Sequence, residues 1–279
     1  MEYVFRHIDE TFDIDNCSNY ILSIQCSLDG FSFCIFDKII NKYIVLSGYD
    51  FNAASSFQLK NIIDDIITSE PILNNAFERV KICYFTPKLT LTVSSLVGEN
   101  QLENITSLNF EEERDIEIVS NKVSESVVSL SLIPVLIKDL FSTIFENSRF
   151  YTSLMPVLTH DSSLNQLGYR LHATLYKHWI QLVIRNENEL RFANVFYVRN
   201  HNDCLYYILN VLKKNHLDSK TPIVLTGFFE KNTPVYSELK KYFETVLFGR
   251  FVNKYAFSYT FFKEPEHQYI SLIELAQCE

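Results

Sequence analysis

The chain has 279 residues, 47% of them hydrophobic, with 6 glycines and 7 prolines, so it is long enough for two domains that each bury a core. Its net charge of −9 provides no basic stripe that could neutralise nucleic-acid phosphates. The six cysteines have no paired CxxC spacing, and no apolar run is long enough to cross a bilayer. We therefore expect a cytoplasmic protein with reduced thiols that neither binds nucleic acid nor inserts into a membrane.

The first predicted elements are two strands that form a hairpin. Residues 20–28 and 31–37 alternate as strands do, and Asp29-Gly30 between them is a strong signal for a two-residue turn. Such a turn creates one apolar face, whose cross-strand pairs are Leu28–Phe31, Cys26–Phe33 and Ile24–Ile35. The residues expected on the opposite, mixed face are Gln25, Ser27, Ser32 and Cys34.

A third strand, a helix and a further strand follow the hairpin. Residues 43–49 have the pattern of a strand, and Ser55 with Gln58 forms a capping box. Apolar residues at helical spacing, from Leu59 to Ile67, then predict an amphipathic helix. Residues 80–85 read as the next strand, closed by Thr86-Pro87.

The same order returns about 148 positions later. Residues 171–175 and 180–184 predict a second hairpin, and 191–197 a third strand. Asn200 can cap a helix, and 222–226 is the next strand, ending in Gly227. Thr233-Pro234 then starts another helix, whose buried face we expect to hold Leu239, Tyr242, Phe243, Val246 and Leu247.

This repeated order describes an α/β (α+β) fold made of two ribonuclease H-like β-β-β-α-β units. The alternative is a chance match of two short patterns. Two such units, with long insertions, are the plan of the two-lobed actin-like ATPases, in which the lobes face a nucleotide cleft. We expect a first lobe over 1–160, with an insertion at about 90–160 that holds strands near Glu117 and Val128 and a helix over 134–145, and a second lobe over 161–279.

Several segments resemble a bacterial family known as a numbered domain of unknown function (3822). The most specific are Asn194-Val195-Phe196-Tyr197, Asp203-Cys204-Leu205-Tyr206-Tyr207 and Leu225-Thr226-Gly227, together with residues 84–91 and 265–269. Cys204 is a departure, since Phe is expected there. The resemblance covers nearly the whole chain and implies an actin-like ATPase fold, with relatives among bacterial cell-division and pilus-assembly proteins. It implies no substrate.

The first half lacks the groups that bind Mg·ATP in actin-like proteins. These proteins hold hydrated Mg²⁺ with an acidic residue at the end of the first strand and grip phosphate with glycine-containing turns. Gln25 stands where that acid is expected, and no glycine occupies the gripping position. Asp29-Gly30 is better explained as a hairpin turn than as a phosphate contact.

The second half is poorer still in such groups. Residues 176–179 contain neither the acid nor the glycines, although Lys177 could meet a phosphate. Thr226-Gly227 keeps one glycine of the adenosine-binding turn, and bulky Phe228 and Phe229 follow it. His201 and Asp203 could form an acid–base pair, but both fall in the first turn of a helix, where capping explains them. We predict no catalytic residue, metal site or cofactor.

Two functions are compatible with this sequence. The first is a pseudoenzyme, a non-catalytic scaffold that binds a protein partner or itself. The alternative is a divergent ATPase or sugar-kinase-like enzyme that uses Ser27, Asp29 and Thr226 in an unfamiliar way. The residues expected to line an emptied cleft are Gln25, Ser27, Asp29, Gly30, Ser32, Thr226 and Gly227. The opposite lobe could instead simply cover the hairpin face.

Overall fold

A computed structural model describes residues 3–98, 101–111, 114–163 and 168–279 of the chain. It forms two compact units. The first comprises Met1–Pro156, Asn253–Glu264 and Leu272–Glu279, and the second comprises Val157–Val252 and Pro265–Ser271. Within the described ranges, no helix has the length and apolar character needed to cross a membrane.

The strands are, in chain order, β1 (Phe5–Ile8), β2 (Tyr20–Ser27), β3 (Gly30–Asp37), β4 (Lys42–Asp50), β5 (Arg79–Tyr84), β6 (Leu89–Val93), β7 (Ile116–Lys122), β8 (Val127–Pro134), β9 (Ser148–Tyr151), β10 (Tyr169–Leu175), β11 (Trp179–Asn186), β12 (Glu189–Tyr197), β13 (Ile223–Gly227), β14 (Val246–Phe248) and β15 (Ala256–Phe257). The α-helices are α1 (Ser56–Ser69), α2 (Leu102–Asn109), α3 (Val135–Ile144), α4 (Leu154–Ser163), α5 (His201–Lys214), α6 (Pro234–Tyr242) and α7 (Glu266–Leu275).

The first unit is built on a sheet with the strand order β1-β4-β3-β2-β5-β9, and β15 pairs with β4. Strands β2, β3 and β4 are antiparallel, whereas β5 runs parallel to β2 and β9 runs parallel to β5. One face of this sheet forms the core with α1 and α3, because the apolar stripes of both helices are buried there. The predicted cap of α1 is present, since the Ser55 hydroxyl accepts the N–H of Gln58 at 3.2 Å.

The predicted register of the first hairpin is wrong by two residues. Ser27 pairs with Gly30, and the strands continue with Gln25 opposite Ser32 and Cys26 opposite Phe31, so the loop consists of Leu28 and Asp29. Neither Asp29 nor Gly30 has the positive φ of the predicted turn. Since the error is two residues, the paired residues of both strands still lie on their predicted faces, whereas Leu28, predicted opposite Phe31, lies in the loop and is exposed.

A separate three-stranded antiparallel sheet, β6-β8-β7, occupies part of the region expected to be inserted. The strands predicted near Glu117 and Val128 correspond to β7 and β8. The elements that follow return to the first sheet, because α3 contributes Ile137 and Phe141 to its core and β9 pairs with β5. The proposed limits of the two lobes remain a prediction.

The second unit is built on a sheet with the order β12-β11-β10-β13-β14. Here too the first three strands are antiparallel and the next two are parallel to the first. Helices α5 and α6 pack on one face, and Asn200 caps α5 as predicted. The expected buried face of α6 is wrong in part: Tyr242, where the helix ends, is exposed, and Val246 and Leu247 belong to β14.

Candidate functional site

Five of the predicted site residues lie together at one end of the β2–β3 hairpin. Gln25 is opposite Ser32 and also beside Cys83 of β5, and Ser27 is opposite Gly30. Gln25, Ser27, Asp29, Gly30 and Ser32 are all half-buried. The first unit therefore brings them into one small polar patch, which we call the hairpin patch.

The polar groups of the hairpin loop already have partners inside the first unit. The Ser27 hydroxyl accepts the N–H of Asp29 at 3.1 Å. The carbonyl oxygens of Leu28 and Asp29 accept the N–H groups of Ala53 at 2.8 Å and Phe51 at 3.4 Å. These bonds hold the loop against the segment that follows β4. They also explain the loop position, since tertiary contacts rather than the turn signal select it.

The rest of this sheet face is covered by the C-terminal segment of the same unit. The Cys34 thiol lies 3.5 Å from the carbonyl oxygen of Leu272, and the Tyr43 hydroxyl donates to that of Ile273 at 2.8 Å. The Lys81 ammonium donates to the carbonyls of Ala276, at 2.8 Å, and Cys278. Burial raises the pKa of the Cys34 thiol. Only the hairpin end of the mixed face thus remains partly accessible.

The other two predicted site residues, Thr226 and Gly227, end β13 in the second unit. The Thr226 side chain is buried, and its hydroxyl lies 2.7 Å from that of Thr174 on β10. Gly227 has φ = +73°, and a Cβ built there would overlap the carbonyl oxygen of Leu175. That oxygen accepts the N–H of Phe228 at 2.8 Å. Contacts within the sheet therefore explain why a threonine and a glycine occupy these two positions.

The aromatic pair that follows Gly227 is divided between surface and core. Phe228 is 55% exposed, whereas Phe229 is 1% exposed. The carbonyl of Phe229 lies 2.6 Å from Nε2 of His267. Burial lowers the pKa of His267, and the hydrogen bond to Phe229 opposes this effect. A neutral imidazole that donates from Nε2 fits this carbonyl.

Asp203, a candidate member of an acid–base pair, has the capping role that the sequence suggested. The carboxylate of Asp203 accepts the N–H of Arg199 at 2.8 Å at the start of α5. In the part of the chain that the structure describes, no three His, Cys, Asp or Glu side chains lie close enough together to hold a metal ion.

Sequence reasoning missed three contacts that define these surroundings. They are the Thr174 hydroxyl beside Thr226, Cys83 beside Gln25, and the C-terminal segment over Cys34. Each depends on pairing between segments that are far apart in the chain. No local pattern signals such a contact, although alternation within β10 does place Thr174 on the face opposite the apolar core.

Comparison with solved structures defines the class of protein. A protein with an actin-like ATPase fold and unknown function from Bacteroides thetaiotaomicron VPI-5482 matches with a TM-score of 0.83 and 23% identity, over 96% of this chain and 100% of that chain. The PilM–PilN type IV pilus biogenesis complex matches with a TM-score of 0.64 and 8% identity, over 92% and 97% of the two chains. The cytoplasmic domain of EpsL, an inner-membrane component of the type II secretion system of Vibrio cholerae, gives 0.50 and 9%, over 93% and 96%. The protein has an actin-like ATPase fold.

The family follows from the sequence. The model of the family described as "Protein of unknown function (DUF3822)" matches residues 9–246, and the chain belongs to this family. The resemblance noted in the sequence is thereby confirmed. A search of curated proteins found no match.

Proposed function

We propose that this protein is a non-catalytic, actin-like scaffold that binds a protein partner through the hairpin patch. The observation that carries this proposal is that two of the candidate ligand-binding hydroxyls, those of Ser27 and Thr226, make hydrogen bonds within their own units. The Ser27 hydroxyl is bonded to the Asp29 N–H, and the Thr226 hydroxyl is bonded to that of Thr174. A phosphate that used the Asp29 N–H would have to displace its bond to Ser27, which contributes about 1 kcal/mol.

The residue types support the same conclusion. Gln25 is neutral and cannot supply the negative charge with which a carboxylate holds hydrated Mg²⁺. The glycine at position 227 is explained by its close approach to Leu175, so it is no evidence for a nucleotide. The carbonyl oxygens of Cys26, near the end of β2, and Leu175, at the end of β10, accept equivalent backbone bonds from Phe85 and Phe228, both at 2.8 Å. The matched bonds and strand orders favour an origin by internal duplication.

The fold comparisons add an analogy. The PilM structure is that of a PilM–PilN complex, and EpsL is a component of a secretion system. Two proteins of this fold are therefore parts of protein assemblies, and we infer the same type of role here. Identities of 8% and 9% carry the fold only, so the analogy names no partner.

Replacing Ser27 and Ser32 tests the hairpin patch. Both side chains are half-buried on adjacent strands, so Ser27→Leu with Ser32→Leu fills the patch with bulk. Native protein and the double variant are compared by affinity capture and mass spectrometry, with Ser95→Leu, at an exposed position of the same unit, as the control. We expect the double variant alone to lose its captured partners while it stays folded, with an unfolding temperature lowered by only about 2–4 °C because the Ser27–Asp29 bond is lost. Retained partners in a folded double variant contradict the proposal.

The alternative function, a divergent ATPase or sugar-kinase-like enzyme, is tested by calorimetric titration with Mg·ATP. We expect no magnesium-dependent binding with a dissociation constant below about 1 mM. The variant Gln25→Asp places a carboxylate near the end of β2, and we expect no binding by it either, because the first half still lacks the glycine-containing turn that grips phosphate. Sub-millimolar, magnesium-dependent binding by the native chain would establish the alternative.

A further inference from the structure

Strand β12 of the second unit has a free edge at a place where the first unit carries an additional strand. The two large sheets match strand for strand, in the orders β4-β3-β2-β5-β9 and β12-β11-β10-β13-β14. In the first sheet β1 pairs with the outer edge of β4, whereas β12, with nine residues, pairs only with β11 among the described residues. A free edge presents unpaired N–H and C=O groups that another strand can bind.

The register of the two sheets identifies the matched residues of β4 and β12. Counting across each sheet from the two equivalent strand-end carbonyls leads to Tyr49 on β4 and to Phe196 on β12. Val195 therefore occupies the place of Gly48. In the first sheet Phe5 of β1 lies directly opposite Gly48, and a Cβ built on that glycine would overlap the Phe5 ring. A large residue on β1 thus faces a position without a side chain on β4, whereas β12 presents a valine there.

The backbone of β12 directs alternate groups to its free edge. Val198, just after the strand, donates its N–H to the carbonyl of His178, in the direction of β11. Inward and outward groups alternate along a strand, so the backbone groups of Ala193 and Val195 point outward. The matched residue of β4 agrees, since the carbonyl of Gly48 accepts an N–H at 2.9 Å from the residue that precedes β1.

Only the first part of β12 has features that protect a sheet edge. Its pairing with β11 is irregular at Ile184/Arg185, and Glu189 forms an ion pair with Arg191 on the same strand. Irregular pairing and edge charges both discourage the addition of another strand. Residues 193–197, the second part, contain neither a charge nor a proline. This second part is therefore the stretch that can accept an added strand.

Aromatic rings flank the second part of β12 on both faces of the sheet. On one face Tyr197 packs against Trp179, with ring centroids 4.9 Å apart. On the other face Phe196 stacks on Tyr207 of α5 at 4.5 Å, and Tyr206 lies beside Tyr207 at 5.3 Å. Tyr206 is nevertheless 61% exposed and Tyr197 is 45% exposed. Aromatic residues are enriched at the centres of protein interfaces, so an added strand would find contacts on both of its faces.

We propose that β12 binds an extended segment of a partner protein as an added antiparallel strand, in the place that β1 has in the first unit. The segment pairs with residues 193–197. Its side chain opposite Val195 is small, because β12 has a valine where β4 has a glycine. Its paired residues are uncharged, since this part of β12 offers no charge to neutralise one. The inference goes beyond the proposed function, because it concerns a different surface and stands whether or not the hairpin patch binds a partner.

Strand β1 of a second copy is a poor occupant of this edge, because Glu70 holds β1 in the first unit. The buried Glu70 carboxylate accepts hydrogen bonds from the Tyr3 hydroxyl and, at 3.1 Å, from the Arg6 guanidinium. Release of β1 would leave that carboxylate buried without either partner, which is strongly unfavourable. Phe5 is also too large for the place opposite Val195. The occupant is therefore a segment of a different protein.

Selection of random peptides displayed on phage, with the full chain immobilised, tests the proposal. We expect the selected peptides to share an uncharged central stretch with a small residue at its centre. Val195→Pro removes an outward N–H and no bond to β11, so the variant stays folded and its dissociation constant for these peptides rises at least about tenfold. Asn194→Ala is the control, since it keeps every backbone group, and we expect it to bind within about threefold of the native chain.

Hydrogen exchange and one further variant identify the register. Bound peptide should slow exchange of the Ala193 and Val195 amides. Val195→Gly gives β12 the glycine that β4 has at the matched place, so peptides selected on this variant should carry a large aromatic residue there, as β1 does with Phe5.

Four results overturn the proposal. They are selected peptides that bind Val195→Pro as well as the native chain, slowed exchange only at other amides, and a preference that Val195→Gly leaves unchanged. The fourth is slowed exchange of the Ala193 and Val195 amides in the concentrated chain alone, because a second copy then holds the edge.

Discussion

Replacing Gly227 with alanine separates a structural role of this glycine from a ligand-binding one. An alanine at φ = +73° loses about 1–2 kcal/mol to its left-handed conformation. Its Cβ would also overlap the carbonyl oxygen of Leu175 and lie 3.1 Å from the carbonyl carbon and nitrogen of that residue. Relief requires β13 to move away from β10, which strains packing by about 1–3 kcal/mol. The Phe228 N–H bond to the same oxygen weakens as well.

These contributions add to a loss of about 3–5 kcal/mol in the free energy of unfolding. For a chain of this size that corresponds to a fall of very roughly 6–15 °C in unfolding temperature. Urea titration followed by circular dichroism measures the loss. Gly168 is a matched control, since it has φ = +80° and a Cβ built there meets nothing within 4 Å. Gly168→Ala is therefore expected to cost only about 1 kcal/mol.

The difference between the two variants is the decisive quantity. If Gly227→Ala costs no more than Gly168→Ala, then the crowding against Leu175 is not what requires a glycine, and a ligand-binding role becomes the better explanation. A loss of stability of the predicted size would show that the packing of β10 against β13 requires a glycine at this position.

Two further predictions concern buried polar contacts. Burial alone would raise the pKa of the Asp9 carboxyl, but hydrogen bonds from Lys42, Thr11 and Ser258 outweigh it and lower that pKa below its ordinary 3.8. The contribution of Asp9 to the free energy of unfolding is thus present above about pH 4 and is lost as the pH falls through the folded-state pKa. In urea titrations, Asp9→Asn should therefore lower the free energy of unfolding by about 2 kcal/mol at pH 7 and by clearly less at pH 3. For the bonded hydroxyls of Thr226 and Thr174, each single change to valine should cost about 1 kcal/mol, and the double variant less than the sum. Strict additivity in the double-mutant cycle contradicts that bond.

Local patterns were sufficient for the strands and helices that carry their own signals. The caps at Ser55, Asn200 and Thr233 were predicted because a cap requires only neighbouring residues. The faces of β2 and β3 were also predicted despite the wrong register, since a shift of two residues preserves alternation. The position of the hairpin loop was not, because the N–H groups of Phe51 and Ala53 select it.

One wrong prediction and one missed contact share a physical cause. The apolar residues after Tyr242 continue a helical spacing, yet Val246 to Phe248 forms β14 because β13 offers a parallel partner. The cover over Cys34 comes from residue 272, more than 200 positions away. Both depend on long-range pairing, which overrides local propensity and leaves no periodic trace. The role of Gly30 also depends on a neighbouring strand. A Cβ there would lie 3.0 Å from the carbonyl oxygen of Tyr49, so strand packing restricts the position.

We propose that the two units lost a nucleotide site for different reasons. In the first unit the charge is missing, since Gln25 occupies the expected position of an acid, while the surrounding patch stays half-buried and polar. In the second unit the space is missing, since Thr226 is bonded to Thr174 and Gly227 is packed on Leu175. A patch that keeps polar groups and partial access can accept a new ligand, whereas a packed strand end cannot without destabilising its sheet. Partner binding is therefore expected at the hairpin patch of the first unit rather than at the end of β13 in the second.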